Sequence, residues 1–195
     1  MSANFILIVG LGNPGSRYRR TRHNIGFHLI DAFADKLNIV FRNHPNLYCK
    51  LASLQTNGKN WILVKPDTYM NASGKAVLAL SRFFKIDPPQ CLVLYDDVNL
   101  ELGVTRLAYS KGHGGHNGIK SIIDSIGTGF MSYRIGVGPK MPPQIDLKHF
   151  VLASFSESEF STIYKNMNHN LSEVVSILEN GAVLAMNQIN QKSKK

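Results

Sequence analysis

The sequence predicts a single-domain α/β fold, a twisted mixed β-sheet flanked by helices. Short β-like runs alternate with segments whose apolar residues recur every three or four positions, the pattern of strands interleaved with amphipathic helices. An Asn57-Gly58 pair between two of the runs is a strong hairpin signal and makes part of the sheet antiparallel. The 195 residues, 44% hydrophobic and 18% charged, contain no linker and no internal repeat, so one core is expected across 1–195, ending in a short polar tail.

In chain order, Phe5 to Val9 is an apolar run read as a buried strand, too short for a signal peptide or a membrane span. The glycines and proline of 10–15 break it into a tight loop. From Ile25 the apolar positions Ile25, Leu29, Ile30, Phe33, Ala34 and Leu37 mark a first helix, with Asn24 as its expected N-cap. Tyr48 to Leu54 and Trp61 to Val64 form the hairpin. Ala72, Ala76, Val77, Leu80, Phe83 and Phe84 form a second helix that Asp87-Pro88-Pro89 stops. Cys91 to Tyr95 is the next strand, placing Asp96 at its carboxyl end, and Val104 to Ala108 another. A glycine-rich loop, 111–118, precedes a third helix whose stripe is Ile119, Ile122, Ile123 and Ile126. Tyr133 to Val137 adds a strand. Ser156 and Glu159 have capping-box spacing, and Leu171, Val174, Val175, Leu178 and Ala182 mark a final helix before the polar tail.

Charge is distributed unevenly. The formal net charge is +9, and residues 1–66 carry nine Lys or Arg against Asp31 and Asp35, a balance of +7. A one-sided basic region attracts polyphosphates, so either a nucleic-acid partner or a merely basic surface fits. Cys49 and Cys91 lack metal-site or disulfide-framework spacing, which fits a reducing cytoplasm.

Polar clusters fall where open α/β sheets hold their sites, at strand ends and loops. Gly10, Gly12 and Gly15 match a dinucleotide-binding expression, but Pro14 lacks an N–H and the helical pattern starts only near residue 24, so no helix N-terminus faces a pyrophosphate. His23, at a helix start, has the chemistry of a general base, and Asp96 at a strand terminus is placed to orient its ring. No nucleophile elbow exists and both cysteines sit in apolar strands, which leaves water activated by His23 as the nucleophile. Asn13, Asn71 and Asn117 are candidates to bind carbonyl oxygens, and Asn71 and Asn117 equally read as N-caps. His113 and His116 form H-x-x-H, but no further ligand motif accompanies them, so no metal is expected.

Taken together, the segments 9–15, 21–26, 65–75, 95–97 and 112–118 closely resemble bacterial peptidyl-tRNA hydrolases, and 133–138 and 150–152 also fit. The resemblance runs from about residue 5 to 155. It implies a monomeric, cytoplasmic esterase that acts on peptidyl-tRNA without cofactor, membrane or obligate protein partner. It assigns His23 as catalytic base, Asp96 as the acid that stabilises it, and Asn13 as the residue that separates blocked from free aminoacyl-tRNA. Tyr18, Tyr69, Asn71 and Asn117 match substrate-contacting positions and Met70 a cleft-lining one. His116 lies in the glycine-rich loop that borders the 3′ adenosine, and Arg134 matches a tRNA-facing base. Departures are Lys111 in place of a glycine, Ala108 in place of a lysine with Arg106 retained, and the unusual Pro139 to Pro143 stretch.

Two other readings stand beside the esterase. A non-catalytic basic RNA-binding module needs only the basic first third, and a nucleotide-dependent enzyme would use the Gly10 loop.

Overall fold

The computed structural model describes residues 4–138 and 146–192; the Pro139 to Pro143 stretch lies outside them. In order along the chain come β1 (Asn4–Gly10), α1 (Ile25–Lys36), β2 (Arg42–His44), β3 (Cys49–Thr56), β4 (Lys59–Pro66), α2 (Ser73–Phe84) and β5 (Cys91–Glu101). They are followed by β6 (Thr105–Tyr109), α3 (Asn117–Ile126), β7 (Met131–Gly138), α4 (Leu147–Leu152), α5 (Glu157–Asn180) and α6 (Ala182–Lys192). The strands form one seven-stranded sheet in the order β2-β3-β4-β1-β5-β7-β6. β1 runs parallel to β4 and β5, and β5 parallel to β7, while β3 and β6 pair antiparallel with β4 and β7.

Because the central strands are covered on both faces, their apolar runs are continuous and their side chains divide by alternation. Ile8, Leu92 and Leu94 pack into the layer of α1, α5 and α6, whereas Leu7, Val9, Cys91 and Val93 pack under α2 and α3. At one sheet edge, β6 would expose unpaired backbone groups. The Asn190 side chain of α6 covers them, accepting from the Leu107 N–H at 3.1 Å and donating to its carbonyl at 2.8 Å, as a neighbouring strand would.

Two expectations are corrected. β5 does not end at Tyr95: β7 continues to pair with it as far as Asp97 and again at Glu101, so Asp96 lies inside a strand, although past the last β1 partner, Leu94. The final helix is two, because Gly181 adopts a positive φ of 85° and ends α5, and the segment read as a polar tail is helical to Lys192. The Ser156–Glu159 capping box is present as expected.

The crossing of β1 and α1 positions everything that follows. Gly10 and Gly26 meet without side chains: a Cβ on Gly26 would collide with the Leu94 carbonyl and the Leu11 backbone, and one on Gly10 with the Gly26 carbonyl. Gly26, three residues after His23 in the first turn of α1, therefore lies directly on the end of β1 and on β5 at Leu94. Gly26→Ala is expected to cost about 2–3 kcal/mol, because the atoms in the way are backbone and cannot swing aside. Denaturant unfolding checks this, and an unchanged midpoint would show that the crossing can relax.

Candidate active site

Asp96 is 2% exposed, yet it is ionised. Burial acts to raise its carboxyl, but the neighbouring His23 and His116 outweigh that and hold it well below the usual carboxylate range. His23 Nδ1 lies 2.9 and 3.0 Å from the two carboxylate oxygens, and His116 Nε2 lies 3.0 Å from Oδ1.

The proton positions follow from the partners. His116 Nδ1 accepts the N–H groups of Gly118 and Ile119 at 3.1 and 3.2 Å, so its ring proton is on Nε2 and donates to Asp96. Both nitrogens of His116 are thereby occupied. His23 donates from Nδ1, which leaves the Nε2 lone pair, without a protein partner among the described residues, on a side chain that lines an open cleft of about 960 Å³. His23, Asp96 and His116 lie close enough together to suggest a metal triad. A cation on His116 Nε2 would, however, require a ring deprotonated at both nitrogens, since the backbone amides of α3 already hold Nδ1, so the donor set does not fit a metal. His113 does not join this group: it is exposed, and its Nδ1 accepts from Gly115 N–H at 3.1 Å, so the H-x-x-H spacing does not become a ligand pair.

Beside the histidine, two asparagines interlock. The Asn13 N–H donates to Asn24 Oδ1 at 2.9 Å and the Asn24 amide donates back to the Asn13 carbonyl at 3.0 Å. Asn24 is thus not the side-chain cap of α1 that periodicity suggested, because its amide is committed to the β1 loop. Asn13 Oδ1 in turn accepts the Met70 N–H at 2.8 Å. Its Nδ2 has no protein partner among the described residues, and Asn13 lines the cleft. Asn117 is not a cap either; it is the first residue of α3, capped by the His116 ring. Asn71 lies in a 3-10 turn, Met70–Ala72, and is exposed into the cleft beside Met70. Tyr69 lines the cleft, 56% exposed, and meets Tyr18 edge to face at 6.4 Å; Tyr18 itself stands outside the cleft wall. Arg134 lines the opposite flank and donates to Asp97 at 3.0 Å, so its charge is partly spent inside the protein. Ala108 and the exposed Lys111 line the same flank.

The thiols take no part. Burial pushes Cys49 up to about 11 and Cys91 up to about 12, so neither supplies a thiolate near neutrality.

Comparison with known proteins decides the family. The peptidyl-tRNA hydrolase family model matches residues 7–195. The chain belongs to the peptidyl-tRNA hydrolase family. It is 40% identical over 175 residues to peptidyl-tRNA hydrolase of Rickettsia rickettsii (strain Sheila Smith), covering 90% of this chain and 94% of that one. It is also 40% identical over 188 residues to the enzyme of Acinetobacter baumannii (strain AYE), covering 96% and 97%. A crystal structure of peptidyl-tRNA hydrolase from Acinetobacter baumannii superposes with a TM-score of 0.89 at 38% identity, covering 97% of this chain and 96% of that one.

Within this peptidyl-tRNA hydrolase scaffold, one residue counted as basic surface has a different place. Arg22 is buried beside His23. Its guanidinium grips Glu159 of α5 at 2.7 and 2.9 Å, reaches the Ser154 carbonyl at 3.2 Å and stacks on Phe150 at 4.5 Å. It ties the histidine turn to α4 and α5. Sequence reasoning missed it, although the Ser156–Glu159 capping box already placed a carboxylate at that helix start.

Burial acts to raise the Glu159 carboxyl, but the Ser156 N–H and Arg22 outweigh it and hold it below the usual range. Its ionised form is therefore favoured by folding, a contribution complete above about pH 5 and lost as pH falls through the lowered value. Glu159→Gln is expected to lower stability by about 2 kcal/mol at pH 7, with the deficit shrinking between about pH 5 and pH 3. Denaturant unfolding across that range measures it; a deficit constant with pH would remove the charge from the explanation.

Proposed function

We infer that this chain hydrolyses the ester joining a peptide, or an N-blocked aminoacyl group, to the 3′-terminal ribose of tRNA, recycling tRNA for translation, with His23 as general base. The observation that carries this reading is the His23 ring itself. Its Nδ1 is fixed by a buried, ionised Asp96 and its Nε2 is left unpartnered in the cleft.

In the proposed reaction, a water oxygen attacks the ester carbonyl carbon while His23 Nε2 takes the water's proton. The tetrahedral intermediate carries its negative charge on the former carbonyl oxygen, where the Asn13 Nδ2 amide is available to donate. Collapse breaks the bond to the ribose oxygen, which takes the proton back from the imidazolium. Asp96 stabilises that imidazolium while it exists. The products are a peptide carboxylic acid and a tRNA with a free 3′ hydroxyl, and no metal or organic cofactor enters.

Sheet order gives the cleft a direction. The loop after β4 carries Tyr69, β1 leads to Asn13, β5 holds Asp96, and β7 holds Arg134, so the cleft runs across the strands from an aromatic flank to a basic one. The aromatic flank, with Tyr69, Met70, Asn71 and Tyr18 behind, suits the peptide. The flank with Arg134, Lys111, Lys148 and the glycine-rich loop of His116 and Asn117 suits the tRNA end. In this reading the enzyme is a single-domain cytoplasmic monomer; two free buried thiols fit a reducing compartment, and no helix among the described residues is long and apolar enough to cross a membrane.

Release of free tRNA from N-acetyl-aminoacyl-tRNA and from unblocked aminoacyl-tRNA, without added metal, tests the reading. The natural protein is expected to cleave only the blocked ester, and His23→Ala to lower the rate by roughly 10²- to 10⁴-fold. A natural protein that binds tRNA but releases none from either ester would instead be an RNA-binding module.

A further inference from the structure

Two cations stand just outside the cleft wall, next to its aromatic flank, in positions the hydrolytic chemistry does not use. Arg17, exposed, lies over the Tyr18 ring with its guanidinium carbon 4.6 Å from the centroid, and Tyr18 in turn abuts the cleft-lining Tyr69. Lys75 stands four residues, about one helical turn, beyond Asn71, exposed like it, with Nζ 4.0 Å from the centroid of the Tyr48 ring. Neither cation pairs with a carboxylate among the described residues. Arg20, Arg22, Lys65, Lys120 and Arg134 all do.

The carboxylate nearest Lys75 in sequence, Asp67, is exposed on the loop that carries Tyr69 and acts on Cys49, whose thiol it helps to push up; the one nearest Arg17, Asp31, pairs with Lys65. That leaves this flank with an excess of positive charge, to which the exposed Arg19 adds. Each ring face holds its cation in place, so receiving an anion costs less ordering than it would for a free surface side chain.

We propose that Arg17 and Lys75 make the peptide end of the cleft charge-selective, favouring peptidyl-tRNA whose peptide carries acidic side chains. The proposal rests on the hydrolytic reading above and on its assignment of the aromatic flank to the peptide. The tRNA phosphates are the competing anions for any cation on this protein, but the basic flank on the far side of β5 accommodates them, and a cation serving phosphate would act alike on every peptide.

The test uses one tRNA carrying N-acetylated tripeptides that share their ester-linked residue and differ in the other two, both Asp, both Ser or both Lys. For the natural enzyme, kcat/KM on the Asp substrate is expected to exceed that on the Lys substrate by about three- to tenfold at low ionic strength, the preference shrinking as salt is added. Arg17→Glu with Lys75→Glu is expected to invert the ratio, and Arg17→Lys with Lys75→Arg to keep it. Equal rates on the three substrates, or a ratio that the charge reversal leaves in place, would overturn the proposal. So would a uniform loss on all three in the reversed variant, which would assign these cations to the tRNA. Cleavage of the Ser substrate without any preference defeats the charge selection alone, whereas failure to cleave any of the three defeats the hydrolytic reading as well.

Discussion

A carboxylate taken out of water stays ionised only where donors reach it, and leaving one unmet costs several kcal/mol. At Asp96 the donors are two neighbouring imidazole rings, their centroids 4.8 Å apart, one on the turn before α1 and one just before α3. The sheet supplies the anion and the two helix starts supply the protons. This requirement constrains the surroundings. The histidine turn must lie on β5, which the glycine crossing of β1 and α1 permits, and the glycine-rich loop must fold back far enough for His116 to bond the α3 amides and the carboxylate at once.

How much of this the sequence disclosed depended on whether a residue's partner lay nearby in the chain. The apolar runs of β1 and β5 and the stripes of α1, α2 and α3 were legible because burial on one face imposes a period, and the Asn57-Gly58 turn because its backbone demands it. The asparagines of the site, Asn13, Asn24, Asn71 and Asn117, were legible only as residue types. Asn24 precedes a helix and looks like its cap, yet the loop eleven residues upstream takes its amide. Asn117 loses the capping position to His116, a residue with little reputation for it, because that ring is already held by Asp96. α4 escaped altogether: six residues are too few for periodicity to speak.

Net charge was the coarsest guide. Of the cations that make the first third basic, Arg20 and Arg22 pair with Glu157 and Glu159, Lys65 with Asp31, and Lys59 reaches the last carbonyls of α5 at Leu178 and Glu179. These fasten the N-terminal half to the helical layer; the buried Arg22 is spent there, whereas Arg20 and its Glu157 partner stay at the surface. An amino-acid count treats them like the free ones, since their carboxylates lie up to 137 residues away. What composition presents as one basic region is, in the folded chain, a set of four clamps and an exposed set of five, Arg17, Arg19, Lys36, Arg42 and Lys50.

The Asn13 amide shows how the same clamps bear on specificity. Its Oδ1 is committed to the Met70 N–H, so the half left for the cleft is the NH₂ group, which can only donate. A donor there can meet the carbonyl oxygen of a peptide link or of an N-acyl group. It offers nothing to the ammonium of a free aminoacyl ester, which needs an acceptor and would shed its hydration without one. On the proposed reading, discrimination thus depends less on Asn13 itself than on the backbone N–H that fixes which way its amide faces. An aspartate in its place could not hold that arrangement, because both of its oxygens accept and the cleft would present an acceptor where the blocked substrate needs a donor.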